Sequence, residues 1–362
     1  MSDSQIPRSR PRGKGLPSLN LLSIQRHPPA ESLYLWADFV ELLCLVNPDR
    51  MVSISDIFAR IVKQTELGEE SPIEDTAEST PSSGPIAEEG AEPTVSSMQE
   101  SGRASGHDGA IRSIRGWFDY IQARQEQFGE LYPYTFDSTT NTIHLKRMST
   151  RRKLYIFLLV SSNLENFTDD SAKTAFRNHF ELVCKVALKE YLPKPTNVHM
   201  FGANPLNRGK YRGKTWERVS KLADDINETL KAREEDFSQY STGDRGLDLV
   251  AWIPHKDSAG GKAIFFAQCG TGDNWEVKQN DTRHGGRWGR IIDCVEPPLN
   301  LMFIPICYRA PDGEWYNPTR VYSVLFDRFR LMLLLDKKPN EAKNVLPDAL
   351  MERVISEKES LV

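Results

Sequence analysis

The chain has 362 residues, with 46 Lys and Arg against 50 Asp and Glu, and its formal net charge is −4. At roughly 150 residues per domain this length suggests about two domains, and a mildly acidic total gives no sign of a nucleic-acid partner. No run approaches the ~18 apolar residues that span a bilayer, and the five cysteines are widely spaced without a CxxC pair. We therefore expect no membrane contact, neither a zinc knuckle nor a disulfide framework, and a reducing cytoplasmic location.

The first 65 residues predict a tail followed by a helical hairpin. Residues 1–30 are basic and Pro-rich, with no apolar segment typical of a secretory signal, and we interpret them as a flexible basic tail. Within residues 31–65, apolar side chains recur at helical spacing in LYLWADFVELLCLVN and again in ISDIFARIV. A hairpin of about 35 residues can bury little core alone, so we expect it to dock onto the later domain.

Residues 66–110 account for the net negative charge of the chain. They contain eleven acidic side chains and one basic one, a net charge of −10 that leaves +6 for the rest of the chain. No aromatic residue occurs between Phe58 and Trp117. Because ordering a backbone costs about 1–2 kcal/mol per residue and this segment has little to bury, we predict a disordered acidic linker. The net charge of the whole chain therefore does not exclude nucleic acid.

Residues 111–340 predict one α/β domain of about 230 residues, with helices packed on a short sheet. The expected elements are a helix ending at Gly129, a β-hairpin at 132–145, an apolar run at 153–164 that fits a strand or a buried helix, helices at 171–192 and 214–236, strands at 246–254, 262–270 and 300–308, and a closing helix at 324–335. We expect residues 341–362 to form a C-terminal helical tail.

The segment GDRGLDLVAWIPHKDSAGGKAIFFAQCGTGDNWEVK places polar residues in apolar strands. Asp248 follows Leu247 and precedes Leu249, where a carboxylate is costly unless it is paired or binds a metal. Gln268 ends the next strand, and the turn between the strands predicts an antiparallel hairpin. Asp248 and Gln268 can therefore project toward one point. The alternative is that Asp248, or the nearby Asp244, caps a strand or pairs with Arg245.

This arrangement resembles the PD-(D/E)xK nuclease superfamily, in which an Asp on one core strand and D/E/Q-x-K on the next hold a divalent metal. The resemblance covers roughly residues 170–310 and implies a restriction-endonuclease-like core, a short mixed sheet flanked by helices. The motif lysine is missing, because Gly270 stands at its position. In this superfamily the lysine can migrate, so the candidates are Lys278 and then Lys262.

The resemblance implies a magnesium or manganese site with Asp248 and Gln268 as ligands. A metal ion can position water, neutralise the phosphate and stabilise the leaving oxygen, and Glu181 on the helix at 171–192 would be a third ligand or would anchor the water. The alternative interpretations are a strand-end Gln bonded to backbone, a surface lysine and a solvated glutamate. Cys269 is expected to be a small buried residue rather than a nucleophile, and His255 and His284 are loop residues.

Two basic, Gly-rich segments predict contacts to nucleic acid. The segment RHGGRWGR contains Arg283, Arg287, Trp288 and Arg290, and NRGKYRGK contains Arg208, Lys210 and Arg212. Arginines and lysines contact phosphate, and Trp288 would offer a stacking face for a base. The alternative interpretation is two ordinary turn-rich loops.

Two functions follow from these patterns. The first is a metal-dependent endonuclease acting on DNA, with RNA as the other substrate, as an effector of bacterial antiphage defence, because the wider pattern is similar to uncharacterised bacterial proteins encoded beside phage-defence genes. The second is a catalytically lapsed member of the same fold that binds nucleic acid or a partner protein from the same defence operon.

Overall fold

The computed structural model describes residues 21–66, 95–237 and 245–358. They form a mixed α/β fold. The described helices are α1 (Leu33–Val46), α2 (Ile54–Glu66), α3 (Val95–Phe128), α4 (Thr150–Ser161), α5 (Asp170–Tyr191), α6 (Thr215–Ile226), α7 (Trp275–Lys278), α8 (Arg328–Leu335), α9 (Pro339–Lys343) and α10 (Asp348–Ser356). The described strands are β1 (Met51–Ser53), β2 (Tyr134–Asp137), β3 (Thr142–Leu145), β4 (Asn197–Met200), β5 (Thr229–Leu230), β6 (Leu249–Trp252), β7 (Ile264–Cys269), β8 (Ile292–Asp293), β9 (Leu299–Phe303) and β10 (Val324–Phe326).

The main sheet has five strands in the order β10-β9-β7-β6-β4. Strand β6 is antiparallel to both β4 and β7, whereas β9 runs parallel to β7 and β10 runs parallel to β9. The predicted hairpin is confirmed, because β6 and β7 pair from Leu249 opposite Ala267 to Trp252 opposite Ile264. The sheet is therefore short and mixed, and its central hairpin carries the candidate site.

Side chains alternate along β6 between two hydrophobic cores. Leu249 and Ala251 face the larger core, which α5 closes, and Val250 and Trp252 face a smaller core closed by α6. Because both faces of the sheet are covered, every residue of β6 is buried. A polar residue at the end of such a strand is therefore packed between the helices that cover the two faces of the sheet.

The predicted helical hairpin at 31–65 is integral to the larger core rather than an accessory. Trp36 stacks on Trp117 of α3 with ring centroids 3.9 Å apart, and Val40 and Leu43 are fully buried. Between α1 and α2 the chain also forms β1, which completes a three-stranded antiparallel sheet with β3 and β2. The expectation that this hairpin docks on the later domain is thus confirmed, with an extra strand that periodicity did not indicate.

A buried ion cluster (Asp38, Glu41, Arg124 and Arg328) joins α1, α3 and α8. Asp38 accepts hydrogen bonds from Arg124 Nη1 and Arg328 Nη2, both at 2.7 Å, and Glu41 accepts one from Arg124 Nη1 at 2.7 Å. All four side chains are at most 1% exposed. Burial acts to raise the pKa of Asp38, but Arg328 and Arg124 outweigh it, so this pKa lies below its usual value.

Two predicted helices differ from the structure. The helix expected at 324–335 begins only at Arg328, because residues 324–326 pair with β9 as strand β10 and Asp327 caps α8 by accepting from Arg330 N at 3.1 Å. The helix expected at 214–236 ends at Ile226, where Asn227 adopts a left-handed conformation with φ 59°. Residues 229–230 then form β5. The apolar run at 153–164, which fits a strand or a helix by its sequence, lies largely in α4.

Parts of the predicted basic tail, acidic linker and C-terminal tail lie outside the described residues. These parts are residues 1–20, 67–94 and 359–362, respectively. Helix α3 begins at Val95, inside the stretch predicted as linker. The predicted C-terminal tail contains α9 and α10, and Met351 and Val354 of α10 are buried in the larger core. None of the helices described is long and apolar enough to cross a membrane.

Replacing one member of the buried ion cluster should destabilise the protein strongly. The variant Arg328→Met leaves Asp38 buried with one cation fewer, and we expect the free energy of unfolding to fall by about 3–5 kcal/mol. Urea denaturation followed by circular dichroism measures this change. Lys231→Met is the control, because Lys231 and Asp293 form a half-exposed pair at 2.8 Å, whose removal should cost at most about 1 kcal/mol. Equal decreases in the two variants would contradict a structural role for the cluster.

Candidate functional site

Asp248 and Gln268 lie side by side where the central hairpin ends. Asp248 N donates to Ala267 O at 3.0 Å, one residue beyond the β6–β7 ladder, which ends at Leu249 opposite Ala267. Cys269 N in turn donates to Asp248 Oδ2 at 2.7 Å. Asp248 is 8% and Gln268 7% exposed. The two residues therefore lie at the same end of the hairpin, and the convergence of their side chains on one point stays a prediction. Asp244, the other carboxylate considered from the sequence, lies outside the described residues.

The amide of Gln268 is bonded at one end only. Its Nε2 donates to Asp281 Oδ2 at 3.3 Å, whereas its Oε1 is buried and accepts no hydrogen bond from any described residue. A buried oxygen without a donor costs about 1–3 kcal/mol. A water molecule, an ion or another ligand outside the chain can supply its missing partner.

Glu181 and Asn204 border the same point from the neighbouring layer. Asn204 Nδ2 donates to Glu181 Oε2 at 2.8 Å, which holds the half-buried glutamate of α5 against the loop after β4. Burial raises the pKa of the Cys269 thiol well above its usual value, and contact with Cys184 and the charges of Asp248 and Glu181 raise it further. Cys269 is therefore a neutral thiol, as expected, and both carboxylates lie within electrostatic reach of it.

The two candidate lysines occupy different ends of the hairpin. Lys262 is buried, and its Nζ donates to Ile226 O at 2.9 Å and to Ala259 O at 3.3 Å. Six residues of strand, about 3.3 Å each, separate it from Gln268, so the alternative assignment of Lys262 to the site is wrong. Lys278 ends α7, and its carbonyl oxygen accepts from Asp281 N at 2.9 Å. Lys278 thus belongs to the turn that presents Asp281, and it forms no ion pair with a described residue.

Gly270 is packed against Met302 and Trp275. A Cβ atom at residue 270 would lie 2.5 Å from Met302 Cε and 3.4 Å from Trp275 Cβ. A larger residue there would require the end of the Met302 side chain to move, whereas the distance to Trp275 is an ordinary contact.

The 207–214 loop presents three exposed cations beside Glu181. Arg208, Arg212 and Lys214 are exposed and line a cleft of about 590 Å³ together with Asn204, the residue bonded to Glu181. Lys210 differs, because it pairs with Asp225 at 2.7 Å. The prediction that Lys210 contacts nucleic acid is therefore replaced by a structural role.

The 283–290 loop presents exposed arginines on the other side. Arg287 and Arg290 line a cleft of about 570 Å³ with Arg245, three residues before Asp248, and Arg283 lines an adjoining cleft of about 750 Å³. Trp288 is fully buried between Phe201 and Phe266, with ring centroids 5.7 and 5.1 Å away. The prediction that Trp288 stacks on a base is wrong, since its ring fills the smaller core.

Two His residues considered from the sequence take no part in this site. His284 Nε2 contacts Ile292 O at 3.1 Å, which fixes the 283–290 loop against β8. His255 lies in the loop after β6, toward the opposite end of the hairpin. Their interpretation as loop residues therefore agrees with the structure.

The donor atoms fit a weakly held Mg²⁺ or Mn²⁺. No group of three or more His, Cys, Asp or Glu side chains in the described part of the chain could hold a metal. Asp248 and the unpartnered Oε1 of Gln268 nevertheless supply two hard oxygen donors at the same end of the β6–β7 hairpin. Magnesium typically takes one or two protein carboxylates and fills its other positions with water and substrate phosphate oxygens. These donors thus fit a weakly held metal ion whose other ligands are water or phosphate oxygens.

Asp281 and Asn204 are the residues that sequence reasoning missed. Asp281 lies 13 residues after Gln268, and Asn204 lies 23 residues after Glu181. Neither distance along the chain is a recognisable motif spacing that would associate Asp281 with Gln268 or Asn204 with Glu181. The polar runs QND and GAN are the only signals in the sequence, and they are typical of any turn.

Comparison of the chain with protein-family models, with curated proteins and with solved structures finds no match.

Adding a methyl group at Gly246 should disturb the site. Gly246 has φ +80°, and a Cβ there would lie 2.5 Å from Asp281 Cβ. We expect Gly246→Ala to lower the free energy of unfolding by about 1–3 kcal/mol, measured by urea denaturation. Gly285→Ala is the matched control, since a Cβ at Gly285 meets no atom within 4 Å and should change stability by less than about 0.5 kcal/mol. Unchanged stability in Gly246→Ala would contradict the close packing of Asp281 against Gly246.

Proposed function

We propose that this protein hydrolyses phosphodiester bonds in DNA in a reaction that depends on Mg²⁺ or Mn²⁺. The observation that carries the proposal is the buried Gln268 near the end of β7, whose Oε1 has no donor among the described residues, on the strand next to the one that Asp248 precedes. Asp248 and Gln268 would hold the ion, which would neutralise phosphate charge and lower the pKa of a bound water. The resemblance to PD-(D/E)xK nucleases implies a short mixed sheet flanked by helices, and the presence of a short mixed sheet with helices on both faces supports the same proposal.

The residues around this pair have separable roles in the proposed reaction. Cys269 N, by donating to Asp248 Oδ2, orients the carboxylate. Glu181, held by Asn204, adds negative charge on the side facing the 207–214 loop and is placed to hold a water. Lys278 is the candidate for charge stabilisation of the attacked phosphate, as proposed from its position after Trp275.

The two basic loops would bind the backbone of the nucleic acid. Arg208, Arg212, Arg283, Arg287 and Arg290 are exposed and form no ion pair with a described residue. When such arginines neutralise phosphates, the counterions condensed on the nucleic acid are released. This release favours binding to nucleic acid of any sequence. Both aromatic residues within the loops, Tyr211 and Trp288, are buried, so base stacking does not contribute there. The resemblance further predicts an effector role in bacterial antiphage defence, with a partner protein from the same operon.

A specific observation favours a second candidate, a lapsed nuclease fold that binds nucleic acid or a protein. Gly270 stands at the position where the resemblance implies a lysine, and no group of three or more His, Cys, Asp or Glu side chains in the described residues could hold a metal. Such a protein would keep the basic loops without hydrolysis. The two candidates differ in one property, which is turnover.

Substitution of Asp248 should abolish cleavage. We expect purified protein to nick or linearise plasmid DNA with Mg²⁺ or Mn²⁺ but not with EDTA, and Asp248→Ala and Gln268→Ala to cut at least about 100-fold more slowly. Gel electrophoresis of the plasmid measures the rates, with Asp257→Ala as the control for an acidic residue in an exposed loop outside the site. Metal-dependent cutting that survives both site substitutions would refute the site, and an absence of cutting would favour the binding protein.

Neutralising the 283–290 loop should weaken binding in a salt-dependent way. For Arg287→Gln with Arg290→Gln, we expect the slope of log affinity against log salt to become shallower by about 0.9 for each phosphate that is no longer neutralised. Fluorescence anisotropy with a labelled duplex at several salt concentrations measures the slope. The control is Arg112→Gln with Arg115→Gln on α3, which removes the same charge from the helical side of the protein. Equal slopes in the two double variants would exclude the loop as the binding surface.

A further inference from the structure

The amide of Gln268 can present either of two chemically different atoms to a cation. Its oxygen is a ligand for a divalent ion, whereas its NH₂ group repels one. The two orientations differ only by a half-turn of the amide, so a chain that uses glutamine as a ligand needs a second group to select between them. Glutamate has no such requirement, since both of its terminal atoms are oxygen.

Asp281 makes this selection. A carboxylate can only accept hydrogen bonds, and Asp281 Oδ2 lies 3.3 Å from Gln268 Nε2. The NH₂ end is thereby held toward Asp281, and Oε1 is left as the buried end without a donor. In the opposite orientation, Oε1 would face the carboxylate, and two acceptors would meet with no proton between them.

The position of Asp281 is itself fixed by its neighbours. Its amide donates to Lys278 O at 2.9 Å, which closes the turn after α7. On the other side its Cβ packs against Gly246, at a distance that leaves no space for a methyl group. Gly246 precedes Asp248 by two residues, so the segment that carries the first ligand also positions the group that orients the second.

We propose that Asp281 is a positioning residue that holds the Gln268 amide with its oxygen available to a divalent cation. This inference rests on the proposed metal-dependent function. It also accounts for glutamine at residue 268, because a glutamate there would place a second carboxylate against Asp281, at a cost in repulsion. The pair Gln268 and Asp281 carries one negative charge. Exchanging the two groups, with the carboxylate on β7 and the amide on the turn, would keep that charge and the hydrogen bond.

Binding of Mn²⁺ to the full chain without nucleic acid tests the proposal. Isothermal titration or the electron paramagnetic resonance signal of free Mn²⁺ gives the affinity. We expect Asp281→Asn to weaken binding about 10–100-fold, the usual range for a group that orients a ligand, because asparagine accepts either orientation of the glutamine amide. The double variant Gln268→Glu with Asp281→Asn should recover affinity to within about threefold of the wild type. In it the introduced amide can donate to one oxygen of the introduced carboxylate and leave the other oxygen for the ion.

Two controls separate this proposal from the metal site on which it rests. Asp257→Asn removes a charge from an exposed loop and should leave Mn²⁺ affinity unchanged, and circular dichroism with a urea midpoint shows whether each variant folds. If the wild type binds and Asp248→Ala does not, yet Asp281→Asn binds like the wild type, the role of Asp281 is refuted and the metal site stands. The role is also refuted if the double variant is no better than Asp281→Asn. If the wild type binds no Mn²⁺, or Asp248→Ala binds as well, the metal site and the proposal both fall.

Discussion

Two carboxylates and two guanidinium groups meet inside the larger core, where water cannot reach them. The charges of Asp38 and Glu41 on α1 are compensated by Arg124 of α3 and Arg328 of α8. Buried ion pairs gain little net stability over apolar packing, but an incomplete set is strongly unfavourable. The three helices therefore have to assemble together, and the position of α8 in turn places β10 at the edge of the main sheet.

Because α8 must pack against α1, helix α1 is coupled to the main sheet, whose β6–β7 hairpin begins about 200 residues later in the chain. Tyr132 and Tyr155 donate to Glu41 at 2.8 and 2.9 Å, which adds α4 and the segment just before β2 to the same assembly. Because its carboxylates accept from several donors at once, the cluster specifies one arrangement of the helices rather than several of similar energy. The geometry of the candidate site depends on this framework, through α5 and the main sheet packed upon it.

The parts of the fold that follow a clear period could be predicted from the sequence. The amphipathic pattern of α5 and the apolar strands β6 and β7 were correctly assigned, because both kinds of element are set by which face is buried. Strand β10 was not, since Val324–Phe326 continues without a break into the apolar helix α8. Only the cap formed by Asp327 separates the two elements, and pairing with β9 depends on residues distant in the chain.

In the candidate site, too, residues marked by their local sequence could be predicted, whereas contacts that depend on tertiary packing could not. A carboxylate within an apolar strand and a glutamine ending the next one pointed to Asp248 and Gln268 without a structure. Burial of Trp288 could not be foreseen, because a Trp among glycines and arginines fits a binding loop as well as a core. The contact of Asp281 with Gln268 crosses the turn after α7, and no spacing in the sequence encodes it.

The buried Lys262 has a consequence for how the opposite end of the hairpin behaves. Its ammonium group binds carbonyl oxygens of Ile226 and Ala259, so the turn that joins β6 to β7 is anchored to the end of α6. Both strands are also paired on their outer edges, β6 with β4 and β7 with β9. At the proposed metal site, the backbone of the two oxygen donors would consequently be fixed before a cation binds, and ordering it would add little entropic penalty to binding.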